Sequence, residues 1–250
     1  MQRVTQQPGF VLHQRNYSET SLLLDLFTRD YGRIGVIARG ARRTKRGGRS
    51  ALGPFQPLLL SWSGRGELGV LTDSEPGDGC YALAGDGLFC GFYLNELLTR
   101  LLHRHDPHEA LFEAYQRCLN ALAQDRDFDR SLRVFESVLL QEIGYGLVLD
   151  HDTVDNSPID PDAVYDYLPD AGPRRLYPPE AAVAGVRVRG RSLLGLAAGQ
   201  LDDRECLQDA KRLMRALLAR CLGDKPLHSR RLFEALAGRS RVKQLQGEQE

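Results

Sequence analysis

The chain has 250 residues, 42 % hydrophobic and 26 % charged, with 33 basic and 33 acidic side chains that cancel. That is enough length and apolar content to bury a core, and more than one, in an ordinary globular protein. No run approaches the roughly 18 apolar residues that cross a bilayer, so no membrane partner is expected. The opening MQRVTQQPGF lacks the apolar region of a secretory signal, which predicts a cytoplasmic chain. Five cysteines, Cys80, Cys90, Cys118, Cys206 and Cys221, contain no CxxC pair. This excludes a zinc knuckle and a disulfide framework and predicts small buried hydrophobes.

In chain order, the first 75 residues read as short, partly alternating apolar runs at 10–15, 20–28, 33–41, 55–63 and 67–75. The turn signals NYSE, RDYG, a basic glycine-rich segment and GRG separate them. Five such strands suit a small β-barrel. Beyond Gly79 the apolar period lengthens. Phe89, Tyr93, Leu97 and Leu101 recur four apart within 81–103, predicting one or two helices buried on most sides, with Asn95, Glu96, Thr99 and Arg100 as the polar remainder. Helices are predicted at 107–123 and 131–143. The stretch 150–190, rich in prolines and aspartates, predicts an irregular surface excursion with a hairpin formed by 174–177 and 183–188. Helices then return at 192–199, 204–222 and 228–238.

Charge is unevenly laid out along this order. Residues 1–80 carry 11 basic and 7 acidic side chains, 81–170 carry 6 and 17, and 171–250 carry 16 and 9. Between Arg33 and Arg49 there are seven basic residues and no acid: Arg33, Arg39, Arg42, Arg43, Lys45, Arg46 and Arg49. Packed together, these charges repel one another unless something compensates them. Phosphates would do so and release counterions, glycines let the segment bend onto a backbone, and guanidinium forks match phosphate oxygens. Arg65, in the GRG turn, extends the set. Small five-stranded barrels commonly bind single strands by adding aromatic platforms to a positive groove. Trp62, between two serines, is expected near a rim where it could serve as one.

A second positive region lies in the C-terminal helices, where Lys211, Arg212 and Arg215 sit over an apolar seam. Such a surface could receive an acidic peptide with a hydrophobic end. Enzyme signatures are missing: there is no GxxxxGK[ST], GxSxG or HExxH. HRHDPH (103–108) reads as a solvated cluster at a helix junction. The carboxylates of DHDTVDNSPIDPD (150–162) lack calcium-loop spacing, so neither a metal nor another cofactor is expected.

Together these blocks resemble the bacterial RecO family of recombination mediators. GFVLHQRNYSETSLLLDLFTRDYGRIGVIARGARR is similar to the family's opening, with its S-E-T-S, D-x-F-T, G-R and A-[KR]-G-A-[RK]. LGPFQPLLLSWSGRGELGVLTDSE, FYLNELLTRLL, FESVLLQEIGYGLVLD and GDKPLHSRRLFEAL are similar to later blocks. The resemblance implies an α+β multidomain protein: a five-stranded OB-fold barrel over 1–79 and a mostly α-helical domain over 80–250. It implies a non-enzymatic role in bacterial DNA repair, at the nucleoid. That role is binding single- and double-stranded DNA, annealing complementary strands and, with RecR, helping load recombinase onto strands coated by single-stranded DNA-binding protein. The acidic, hydrophobic tail of that coating protein would be a further partner. Some members carry a four-cysteine zinc module after the GYG block; GLVLDHDTVDNSPIDPDAV has no cysteine, so zinc is not expected. The rival readings are an adaptor whose positive faces meet only acidic proteins, and a metal-dependent nuclease built on Asp150, Asp152 and Asp155.

Overall fold

In the computed structural model, which describes residues 2–42, 52–64, 66–124, 127–223 and 225–229, the apolar runs of the first domain become five strands. These are β1 (Gln2–Asn16), β2 (Leu22–Thr28), β3 (Gly32–Ala38), β4 (Leu58–Gly64) and β5 (Leu68–Pro76). They close into a barrel in the order β1-β2-β3-β5-β4, an OB-fold. The length of β1 makes closure possible: its C-terminal half pairs with β2 and its N-terminal half with β4. A short parallel pairing of β3 with β5 completes the ring. Strand side chains alternate between faces. Leu22, Leu24 and Leu26 of β2 and Ile34, Val36 and Ala38 of β3 therefore fill the interior, with Val4, Val11, Leu58, Leu60 and Trp62. Leu23, Asp25, Arg33, Gly35 and Ile37 are left for the outer face.

The chain separates into two compact units, the first comprising residues up to Phe112 with Leu122–Gln124 and the segment from Lys225, the second Glu113–Ala121 and Asp125–Asp224. In the first, 81–103 holds a single helix, α1 (Gly85–Leu101). Asn95, expected on its polar side, is buried at 3 % exposure, and its amide donates to the Leu12 carbonyl at 3.0 Å. The reason lies in β1: its register shifts between Val11 and His13, so Leu12 has no ladder partner there, and a buried carbonyl needs a donor. A further helix, α2, spans Glu109–Ala123.

The second unit contains α3 (Phe128–Glu142), α4 (Gly190–Ala198) and α5 (Arg204–Leu222), which pack on one another through Leu139, Leu140, Leu193, Leu196, Leu213, Met214 and Leu217. Asp203 caps α5, accepting from the Cys206 amide at 2.7 Å. The excursion is more ordered than expected. β6 (Val164–Leu168), β7 (Gly172–Arg175) and β8 (Val186–Arg189) form a sheet ordered β7-β6-β8. The two segments expected to pair as a hairpin are both strands, but each pairs with β6. The carboxylate of Asp166, on β6 and fully buried, holds the return loop by accepting from the Ala184 and Gly185 amides at 3.0 and 2.9 Å. Among the cysteines, Cys118 and Cys206 are buried as expected, whereas Cys80 is exposed. The expected helix at 228–238 lies outside the described residues beyond Ser229. No described helix is long and apolar enough to cross a membrane.

Candidate nucleic-acid interface

Strand register assembles the outer face of the barrel in two rows. In one, Arg15 of β1 is the partner of Leu23 on β2, which faces Ile37 on β3 and then Val70 on β5. In the other, His13, Asp25, Gly35 and Leu68 follow the same order. Arg15 and His13 are exposed, and the aliphatic members are half-buried or, for Leu68, exposed. The face therefore has an apolar floor and a cationic margin.

Asp25 organises the charge on it. Its carboxylate accepts from Arg33 Nε at 3.0 Å and Nη2 at 2.7 Å, while Arg33 Nη1 donates to the Leu102 carbonyl at 3.1 Å. Arg104 lies across the same carboxylate, with Nη2 at 3.9 Å and Nη1 donating to the Glu67 carbonyl at 3.4 Å. Two guanidinium groups share one carboxylate, so the cluster keeps a net positive charge. Two glycines admit this arrangement. At Gly35 a Cβ would fall 2.5 Å from Arg104 Nη1, so the bare backbone is what lets Arg104 lie flat. At Gly32, the first residue of β3, φ is +62° and a Cβ would fall 1.8 Å from the Asp106 carbonyl oxygen. His105 N also donates to the Arg33 carbonyl at 2.9 Å, so the segment carrying Arg104 runs against the edge of β3.

The residues anticipated from sequence fall into distinct positions. Arg33 is on the face but only 15 % of its side chain is exposed, and both edges of its guanidinium are engaged. It anchors the cluster. Arg39 is exposed just beyond β3. Arg42 is also exposed; its amide donates to the Thr20 carbonyl at 3.1 Å and its guanidinium to the Ser18 carbonyl at 2.6 Å. The root of the basic segment is thus tied to the β1–β2 turn. Arg43, Lys45, Arg46, Arg49 and Arg65 lie outside the described residues. Trp62 departs from the expectation of a rim position: it is 8 % exposed, belongs to the barrel core and meets Tyr31 edge-on with ring centroids 5.2 Å apart. It shares the inward face of Leu58 and Leu60, four and two residues earlier, which outweighs the polarity of its serine neighbours.

On α5 the three cations differ. Lys211 pairs with Asp129 at 3.0 Å, both side chains being well exposed. Arg212 pairs with Asp209, a 1 %-exposed residue whose carboxylate also accepts from the Ser192 hydroxyl at 2.9 Å and from Arg189 at 3.2 Å. Arg212 is therefore part of a buried-acid network, whereas Arg215 is exposed and has no ion pair among the described residues.

The carboxylates of 150–162 do not converge. Asp152, 3 % exposed, accepts from the amides of Val154 at 2.7 Å and Arg175 at 2.6 Å. Asp155 accepts from the Ser157 amide, and Asp150 contacts His151 at 2.7 Å. Among the described residues no group of three or more His, Cys, Asp or Glu could hold a metal ion. These acids hold the loop together.

Sequence reasoning missed Arg104 and Arg15. The signal for Arg15 was its alternation with His13 on a strand. For Arg104 there was none, because HRHDPH is far along the chain from the strand it crosses.

Residues 1–79 match the family described as recombination protein O N terminal and residues 83–231 the one described as recombination protein O C terminal. The DNA repair protein RecO of Nitrosococcus oceani is 48 % identical over 234 residues, covering 94 % of each chain. That of Alkalilimnicola ehrlichii is 48 % identical over 235 residues, 94 % of this chain and 93 % of its own. That of Dechloromonas aromatica is 45 % identical over 237 residues, covering 94 % and 97 %. With an OB-fold barrel at its N-terminus and both halves matched along nearly their full length, the chain belongs to the RecO family.

Proposed function

We propose that this protein is a DNA repair and recombination mediator that binds DNA through phosphate contacts on its barrel and brings complementary strands together. The observation that carries the reading is the outer face of β2, β3 and β5. An apolar floor is bordered by Arg15, the Arg33–Asp25–Arg104 cluster and the exposed Arg39 and Arg42, from which the basic run Arg43–Arg49 continues. Two strands repel through their phosphates, and a guanidinium-rich surface lowers that barrier when both lie on it. Contacts of this kind go to the backbone and leave bases free to pair. The family relatives named DNA repair protein support the same role, and membership of a family of recombination mediators supports cooperation with RecR and with single-stranded DNA-binding protein. For the acidic tail of the latter, Arg215 with Lys211 is the favoured site. Lys211 can exchange its solvent-exposed partner Asp129 at little cost, while Arg212 is committed to Asp209.

The test is the salt dependence of affinity for a single-stranded oligonucleotide, followed by strand annealing with and without the coating protein. Replacing both Arg39 and Arg42 by glutamate should weaken binding and lower the log–log salt slope by about 0.7 for each phosphate contact removed. Undiminished binding and annealing would overturn phosphate contact at this edge of the barrel, while a parent chain without DNA affinity would instead favour an adaptor whose positive faces meet only acidic proteins.

A further inference from the structure

We infer that Tyr17, in the turn between β1 and β2, is the residue on which a base of a single strand stacks. The inference rests on the nucleic-acid reading above and adds a contact of a different kind to it. Residues 1–79 hold six aromatic side chains: Phe10, Tyr17, Phe27, Tyr31, Phe55 and Trp62. Phe10 and Phe27 are fully buried against Phe112, with ring centroids 5.5 and 5.4 Å away. Phe55 is buried against Phe92, and Trp62 and Tyr31 meet one another. Tyr17 alone is exposed, at 56 %, and its ring has no aromatic neighbour among the described residues. A large apolar ring held in water gains from covering one face with a base.

Its setting favours that use. The turn is closed by Tyr17 N donating to Ser21 O at 3.1 Å and by Ser21 N donating to the Ser18 hydroxyl at 3.2 Å. From outside it is held by the two Arg42 bonds to Thr20 O and Ser18 O. The ring thus stands on a preorganised backbone, which limits the ordering cost of binding. Arg15, two residues earlier, and Arg42, bonded to the next residue, are exposed cations on either side of it in the chain. Phosphates on those groups leave a base for the ring. Glu19, exposed in the same turn, repels phosphate but does not penalise a neutral base. A single platform tolerates any sequence and leaves neighbouring bases free to pair. A duplex, whose bases are already stacked, gains nothing from it.

The experiment uses the full chain, a labelled oligothymidylate, the same-length oligonucleotide of abasic sugars, and a duplex, each across a salt series. Tyr17→Ala should weaken oligothymidylate binding roughly ten-fold at every salt concentration, with the log–log slope unchanged. Tyr17→Phe should keep the parent affinity, and the duplex should bind all three alike. The abasic strand should bind the parent chain less well than oligothymidylate does, and Tyr17→Ala should lose nothing further on it. Equal affinity of Tyr17→Ala and the parent for oligothymidylate overturns the inference while leaving phosphate-led binding standing. A parent chain without salt-sensitive binding overturns both. As a readout independent of the alanine variant, the emission of Tyr17→Trp should be quenched by oligothymidylate, since Trp62 lies in the barrel interior; absence of quenching counts against stacking.

Discussion

Glu96 on α1 receives three hydrogen bonds from the start of the C-terminal segment: the His228 amide at 2.8 Å, the Ser229 amide at 2.8 Å and the Ser229 hydroxyl at 2.7 Å. Arg100, one turn on, donates to the Lys225 and Pro226 carbonyls. Burial pushes the Glu96 carboxyl up, but the Ser229 and His228 hydrogen bonds and the His228 charge outweigh it and hold the group below its ordinary 4.5. A carboxyl with a depressed folded pKa adds stability that is present above its unfolded pKa and is lost as pH falls through the folded one. Glu96→Ala should therefore cost about 1 kcal/mol near neutrality, as loss of a helix cap does. In denaturant titrations the gap from the parent should close below pH 4.5. The glycines of the interface predict a contrast. At Gly35 the obstructing atoms are ends of flexible side chains, Arg104 Nη1 and Leu68 Cδ2 at 2.5 and 2.8 Å. Gly35→Ala should keep the fold, displace Arg104 and weaken DNA binding. Gly32→Ala meets backbone at φ +62°, which costs at least about 1–2 kcal/mol, and thermal denaturation should expose the difference.

At the scale of elements, the barrel explains why one strand can serve core and interface together. β3 sends Ile34, Val36 and Ala38 inward and Arg33, Gly35 and Ile37 outward, so its period of two separates stability from binding. β4 spends its alternation differently: Leu58, Leu60 and Trp62 all enter the core. Trp62→Ala should accordingly destabilise the barrel by about 3–5 kcal/mol, the range for large aromatic truncation in a core. In the parent chain the emission of this single tryptophan should stay unchanged when oligothymidylate binds. A strong quench on binding would mean that the indole reaches the ligand.

On the scale of the whole molecule, the two units divide the work of the charged side chains. In the first, one carboxylate, Asp25, meets two guanidinium groups, and the exposed Arg15, Arg39 and Arg42 have no ion pair among the described residues. In the second, three buried acids are saturated: Asp152 and Asp166 hold loops, and Asp209 collects Arg189, Arg212 and Ser192. Asp152→Ala should leave the amides of Val154 and Arg175 without their acceptor, at about 1–3 kcal/mol for a buried group. Single-strand affinity should be unaltered. Loss of a magnesium-dependent cleavage activity in that variant would revive the nuclease reading.

Periodicity alone determined the five barrel strands and most helices, because the burial of one face imposes a spacing that survives in the chain. It also carried two facts that local polarity obscured: the even spacing of Leu58, Leu60 and Trp62, and the strand-like Val164–Leu168 among prolines and aspartates. Partnership over long separations could not be read in this way. That Arg104 would cross Gly35, that Asn95 would answer the unpaired Leu12 carbonyl, and that Arg33 would be bound to Asp25 while Arg39 stayed exposed depend on which surfaces meet once the barrel closes. A charge in the sequence is only a formal unit; tertiary structure decides whether an internal carboxylate or the solvent neutralises it, and hence whether it remains for a ligand.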